Sequence, residues 1–289
     1  AVSAEARWPL AMPDRLGRDD GLPCVELRIL VAGDPAVGKT SLIQNICTGG
    51  RRSDAPAIGE WTCGCSLSVS RESAEVDLRT TEVEVELWEV GGTQTYAATR
   101  PVFYEDFDAV VLVYDVSNMK SYHNLVVWLF ELCTSFHLPS LRYWDASGGS
   151  GSAPAADLEG GGCDGRAKQE AILSGRCPVL FIANKSDLRR RGEEWRSAAP
   201  CRPVPPQGIS LLDRLLGGGD SAPALAAGRR SPADEQLLER LCDLVQRGRH
   251  IEATSKEDKP PFDPVLWRDF LRRAAESRSS SGPFATERR

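Results

Sequence analysis

The octet Gly33-Asp34-Pro35-Ala36-Val37-Gly38-Lys39-Thr40 fits the pattern G-x-x-x-x-G-K-[ST]. It constrains the fold more than any other stretch, because each fixed position answers a need of phosphate binding. Glycines let backbone N–H groups curl around phosphate oxygens, and a helix starting at the lysine adds its dipole. The lysine can reach the β and γ phosphates, and the Thr40 hydroxyl can ligate Mg²⁺. Such a loop works only between a buried strand and a helix. The apolar run Val25–Ala32 ends at Gly33, and Lys39–Cys47 places Leu42, Ile43 and Ile46 on one helical face. Gly33, Asp34, Pro35, Ala36, Val37, Gly38, Lys39, Thr40 and Ser41 are therefore candidate phosphate-binding residues.

The rest of the chain supplies more elements of the same kind. Val83–Leu87 alternates with period two, as a half-buried strand does. Ala109–Tyr114 and Val179–Ala183 are continuous apolar runs, the mark of strands buried on both faces of a parallel sheet. Between them, Ser121–Phe136 carries Leu125, Trp128, Leu129 and Leu132 at helical spacing. Asp234–Arg247 and Pro264–Glu276 read as two further helices, the second with Asp263 as N-cap and Pro264 at its first position. Strands alternating with helices predict a doubly wound α/β sheet.

The 289 residues hold 26 glycines and 19 prolines, unevenly placed. Residues 1–26 lack apolar periodicity and read as a flexible arm, residues 145–166 contain seven glycines, and 189–206 and 217–233 offer little to bury. A short helix is expected at Leu211–Leu216. The layout expected is an arm over 1–24, one domain over 25–276 with insertions about 140–172 and 189–233, and a flexible tail over 277–289.

A formal charge of −6 argues against a broad basic nucleic-acid surface. No apolar run reaches the length of a membrane span. Nine cysteines at irregular spacing read as reduced thiols of a cytoplasmic protein. His123, His137 and His250 are scattered and form no base–nucleophile pair, while Trp128 and Trp267 read as core residues. Trp88 ends a strand, where it serves either packing or a partner.

Two later motifs choose the base. Asn184-Lys185-Ser186-Asp187 directly follows the strand 179–183. A carboxylate there can accept both N1–H and the 2-amino group of guanine, a donor pair that adenine lacks. Asn184 and Lys185 would hold the base from the sides. Glu252-Ala253-Thr254-Ser255-Lys256 follows a short strand candidate at His250-Ile251. With these motifs in this order, the chain resembles the Ras-superfamily small GTPases, whose last base-contacting loop usually reads E-x-S-A-K. Trp61-Thr62-Cys63-Gly64-Cys65 and Glu86–Gly92 place the resemblance nearest the Rab-like members.

That resemblance implies a P-loop NTPase fold of small-GTPase type, with a mostly parallel six-stranded sheet flanked by helices and carrying long loop insertions. It implies GTP or GDP with Mg²⁺, and Thr254, Ser255 and Lys256 beside the base. Thr62 takes the place of the switch I threonine, a metal ligand with Thr40. Glu89 stands where an aspartate usually holds Mg²⁺, one methylene longer. Gly92 would offer its N–H to the γ-phosphate. Lys39, Thr62 and Gly92 are the expected catalytic residues. Thr93 stands where active members place the glutamine that orients water, with Gln94 one residue late, so weak GTPase activity is expected.

Expected partners are effectors and exchange or activating proteins at the switch regions, and no nucleic acid. The tail ends Phe284–Arg289 without a terminal cysteine, which predicts no stable membrane anchor. Pairing with a second copy stays open. A nucleotide-holding scaffold, whose partners ignore GTP, is the alternative to a molecular switch.

Overall fold

A computed structural model of the chain describes residues 24–50, 62–76, 79–97, 99–104, 107–134, 161–189, 232–254 and 260–280. Six strands form one sheet: β1 (Cys24–Ala32), β2 (Cys65–Val76), β3 (Arg79–Val90), β4 (Ala109–Asp115), β5 (Val179–Asn184) and β6 (His250–Glu252). Their order is β2-β3-β1-β4-β5-β6. All neighbours run parallel except β2, which returns antiparallel along β3. The expected mostly parallel six-stranded sheet is therefore present.

Helices cover both faces. One core packs Leu42, Ile43 and Ile46 of α1 (Lys39–Thr48) and Trp267, Phe270 and Leu271 of α6 (Pro264–Ser280) on Leu27, Val85 and Val111. The other packs α3 (Leu125–Thr134), α4 (Gly161–Ser174) and α5 (Pro232–Arg247) on Leu30, Leu112 and Phe181. All seven residues of β4 are buried, which is why its sequence reads as an unbroken apolar run. Strand order reverses at β1, and that reversal opens a crevice beyond the strands' carboxyl ends.

Four boundaries differ from the sequence reading. The expected helix Ser121–Phe136 is two helices, α2 (Met119–His123) and α3, separated at Asn124. Asn124 keeps helical backbone angles, φ −70° and ψ −12°, and donates its amide to Asp34 Oδ2, 2.6 Å away. The glycine-rich stretch 145–166 was expected to hold no element, yet α4 begins at Gly161. The fully buried Ile172 anchors that helix, which then extends backward into the glycines. The tail expected from residue 277 is helical to Ser280, because Ser277 donates to Arg176 O and Arg278 binds Asp108 at 2.8 Å. Strand β1 begins at Cys24, the last residue assigned to the arm. The 211–216 helix and most of the arm and insertions lie outside the described residues.

Periodicity does not single out β2, because its polarity is inverted. Leu67 and Val69 face solvent, whereas Ser70 and Glu72 are buried on the side where β2 meets α6. Burial pushes the Glu72 carboxyl up to about 7, and Arg268, Trp267 and Ser70 offset only part of that penalty. A carboxyl raised above its ordinary value of 4.5 binds more protons when folded. Stability should therefore be greatest below 4.5 and fall as pH rises through about 7. Glu72→Gln should remove that slope. Thermal melts should then show the variant several degrees above wild type at pH 8 and level with it only below pH 4.5.

Candidate nucleotide-binding site

The described motif residues follow the carboxyl ends of β1, β3, β5 and β6, except Thr62, which precedes the antiparallel β2 where that strand starts opposite the end of β3. The loop after β1 turns through Ala36 at φ 61° and Gly38 at φ 88° and then enters α1. A side chain at Gly38 would be strained by that φ, and its Cβ would stand 2.6 Å from Asn184 Nδ2. No side chain caps α1, which leaves its first N–H groups to an anion.

Lys39 is 5% exposed and curls back over the loop, donating to the carbonyls of Gly33 and Asp34, each at 3.0 Å. Burial lowers its pKa to about 8 against the opposing pull of Glu89 and Asp34, with Arg100 lowering it further. Such an ammonium gains from an incoming phosphate, which returns the charge partner that burial withheld.

Thr40, Thr62 and Glu89 come together although 49 residues separate the first from the last. Glu89 Oε1 accepts from Thr40 Oγ1 at 2.8 Å and from Thr62 Oγ1 at 3.0 Å. The two hydroxyl oxygens lie 3.2 Å apart. Adjacent ligands of an octahedral Mg²⁺ at 2.0–2.1 Å stand about 2.8–3.0 Å apart. Each hydroxyl donates a hydrogen bond to Glu89, so its lone pairs remain for a metal. The spacing of these oxygens fits Mg²⁺, which Thr40, Thr62 and Glu89 would hold.

The base side is built the same way. Asn184 is 2% exposed, and its Nδ2 donates to Val37 O at 2.9 Å and Gly38 O at 3.3 Å. Lys185, itself at φ 60°, reaches Ala36 O at 2.7 Å. Asp187 is exposed and accepts from Thr254 Oγ1 at 3.1 Å, which joins the loop after β5 to the loop after β6.

Residues 28–137 match the family described as "Ras of Complex, Roc, domain of DAPkinase". Human Rab-like protein 3 is 34% identical over 207 residues, covering 68% of this chain and 78% of that protein. The chain belongs to the Rab-like small GTPases. Zebrafish Rab-like protein 3 is 33% identical over 119 residues, 39% of this chain and 49% of that protein, so the chain spans about half of that relative. The Arabidopsis thaliana small GTPase LIP1 is 25% identical over 253 residues, 79% of this chain and 64% of that protein.

In this Rab-like GTPase, most of the motif residues read from the sequence converge on one crevice. Ser41 is exposed on the outer side of the first turn of α1, and Ser255 and Lys256 lie outside the described residues. Sequence reading missed Asp115. It ends β4 and grips Lys185 Nζ at 2.7 Å, while Ser117 donates to its other oxygen at 2.6 Å. These partners hold the Asp115 carboxyl below its usual range despite burial that pushes the other way. A carboxylate at the end of an apolar strand, on the edge that carries the motifs, was a readable signal.

Trp128 is a core residue as expected, 5% exposed, but its indole also donates to Asp34 Oδ1 at 3.0 Å. Trp128 and Asn124 thus hold the loop's carboxylate on the α3 side. Trp88 resolves toward packing: Arg28 lies 3.8 Å over its ring, and its indole donates to Glu86 at 3.0 Å. Among the described residues, no helix is long and apolar enough to cross a membrane.

Proposed function

We propose that the crevice binds GTP and GDP with Mg²⁺, and that the chain works as a cytoplasmic molecular switch with slow intrinsic hydrolysis. The observation that carries this reading is the Thr40–Glu89–Thr62 cluster, held beside a buried Lys39. Lys39 binds the β and γ phosphates, and Thr40 and Thr62 hold the metal. Gly92 offers its N–H to the γ-phosphate. Asp187 accepts from the guanine edge while Asn184 and Lys185 flank the ring, and Thr254, Ser255 and Lys256 close it from the other side. When bound, Mg²⁺ neutralises phosphate charge and orients the phosphate oxygens.

Retention of GTP over ATP after gel filtration tests the base assignment, and preferential ATP retention would sink it. Effectors and exchange or activating proteins would read the surface around Thr62 and Gly92. Partner capture that ignores nucleotide state would replace the switch by a scaffold.

Slow hydrolysis follows from switch II. Thr93 is half-buried and its carbonyl is taken by Arg100 at 3.0 Å. Its short branched side chain has one hydroxyl, not the reach with which a glutamine orients water. Gln94 starts a 3-10 turn (Gln94–Tyr96) and is exposed. Thr93→Gln should raise the single-turnover GTP hydrolysis rate about tenfold, a modest share of what general catalysis by one positioned group supplies. Wild-type turnover matching that of the glutamine variant would refute the slow-hydrolysis reading.

A further inference from the structure

Arg100 opens the 3-10 turn Arg100–Phe103, nine residues beyond Gly91, and is only 4% exposed. Its Nε and Nη2 donate to the two oxygens of Glu131 on α3 at 2.8 and 2.6 Å. Glu131 also accepts from Tyr104 at 2.5 Å. The guanidinium carbon sits 4.5 Å from the centre of the Trp128 ring. The remaining nitrogen, Nη1, donates to Thr93 O at 3.0 Å and, over a longer 3.4 Å, to Gly91 O.

A buried ion pair is weak evidence for stability, because well-packed apolar residues often serve as well. What this pair does beyond packing is take hold of two backbone carbonyls on either side of Gly92. Gly91 C=O and Gly92 N–H belong to one planar trans peptide, in which carbonyl and amide point in opposite directions. A carbonyl drawn toward Arg100 sends the Gly92 N–H the other way. On that glycine's own doorstep lies the phosphate loop: a Cβ on Gly92 would stand 2.6 Å from Pro35 N and 2.7 Å from Gly33 O.

We propose that Arg100 is a positioning residue for γ-phosphate recognition, presenting the Gly92 N–H by capturing the carbonyls of Gly91 and Thr93. The Glu131 fork and the Trp128 ring hold the guanidinium rigid. Trp128 and Asn124 bind Asp34, so the captured peptide, α3 and the phosphate loop move as one body. Arginine is required because fork, stacking face and spare donor act together, whereas lysine offers a single point charge.

The proposal rests on the nucleotide reading above, and its test separates the two. Release of a fluorescent non-hydrolysable GTP analogue and of fluorescent GDP is measured with Mg²⁺ for wild type and Arg100→Lys. The variant should release the GTP analogue about tenfold faster while GDP release changes less than twofold, since GDP has no γ-phosphate. Equal acceleration of both, or of neither, would overturn it. In a second arm, hydrogen exchange is followed in the nucleotide-free chain. Arg100→Lys should speed exchange of the amides of residues 91–97 with α3 unchanged, and unaltered exchange there overturns the proposal. If wild type retains neither nucleotide, the functional reading fails and the exchange arm alone judges the role of Arg100.

Discussion

Lys39→Ala should lower affinity for GTP and GDP by about 100-fold, the loss of one or two charge-assisted hydrogen bonds at 1.5–3 kcal/mol each. Isothermal titration or fluorescent-nucleotide binding would measure it. The buried position of Lys39 adds a second consequence. With its pKa lowered to about 8, the unliganded lysine loses its proton as pH rises through that value. A phosphate restores the proton, so binding takes up a proton and weakens as pH climbs above about 8. Wild-type affinity should fall tenfold per pH unit well above that value, and the alanine variant should lack this component. A flat wild-type profile between pH 7 and 9.5 would show that Lys39 keeps its charge in the free protein.

The same lysine illustrates what the sequence made legible. The loop pattern, the buried strands and the Asn184–Asp187 quartet each depend on local spacing, and both loops stand at the strand ends where spacing put them. Local spacing does not report which polar side chains are turned away from the ligand. Asp34 sits inside the phosphate loop, where a carboxylate would repel phosphate. Only the tertiary structure shows Asn124 and Trp128 holding it on the α3 side. Trp128 lies on an apolar helix face, so its indole donor was invisible to periodicity.

Strand β2 escaped for a related reason. Its inward face carries Ser70 and Glu72 beneath α6, an arrangement that hydrophobic alternation cannot find. The start of α4 among glycines fails the propensity rule, because a buried Ile172 further along outweighs local preference. Glu89 was read from its place in the motif as a longer metal ligand. The geometry puts its carboxylate within hydrogen-bond reach of both threonine hydroxyls.

Base choice carries the other large effect. Asp187 would accept the N1–H and the 2-amino hydrogen of guanine, two bonds to an ionised acceptor. In Asp187→Asn one of those acceptors becomes an NH₂ facing another donor, so a bond is lost and a repulsion takes its place. GTP affinity should fall about 1000-fold, the sum of roughly 4 kcal/mol from those two terms. Xanthosine triphosphate has a carbonyl where guanine has the amino group, and it keeps N1–H. The asparagine amide can donate to that carbonyl and accept from N1–H, so the variant should prefer the xanthine nucleotide over GTP. Thr254, which donates to Asp187 Oδ1, can donate equally to an amide oxygen, so the loop keeps its shape and the change is confined to the base. Competition binding with GTP, ATP and xanthosine triphosphate reads the result directly. An asparagine variant that still prefers GTP would remove Asp187 from the base site, whatever the fate of the phosphate loop.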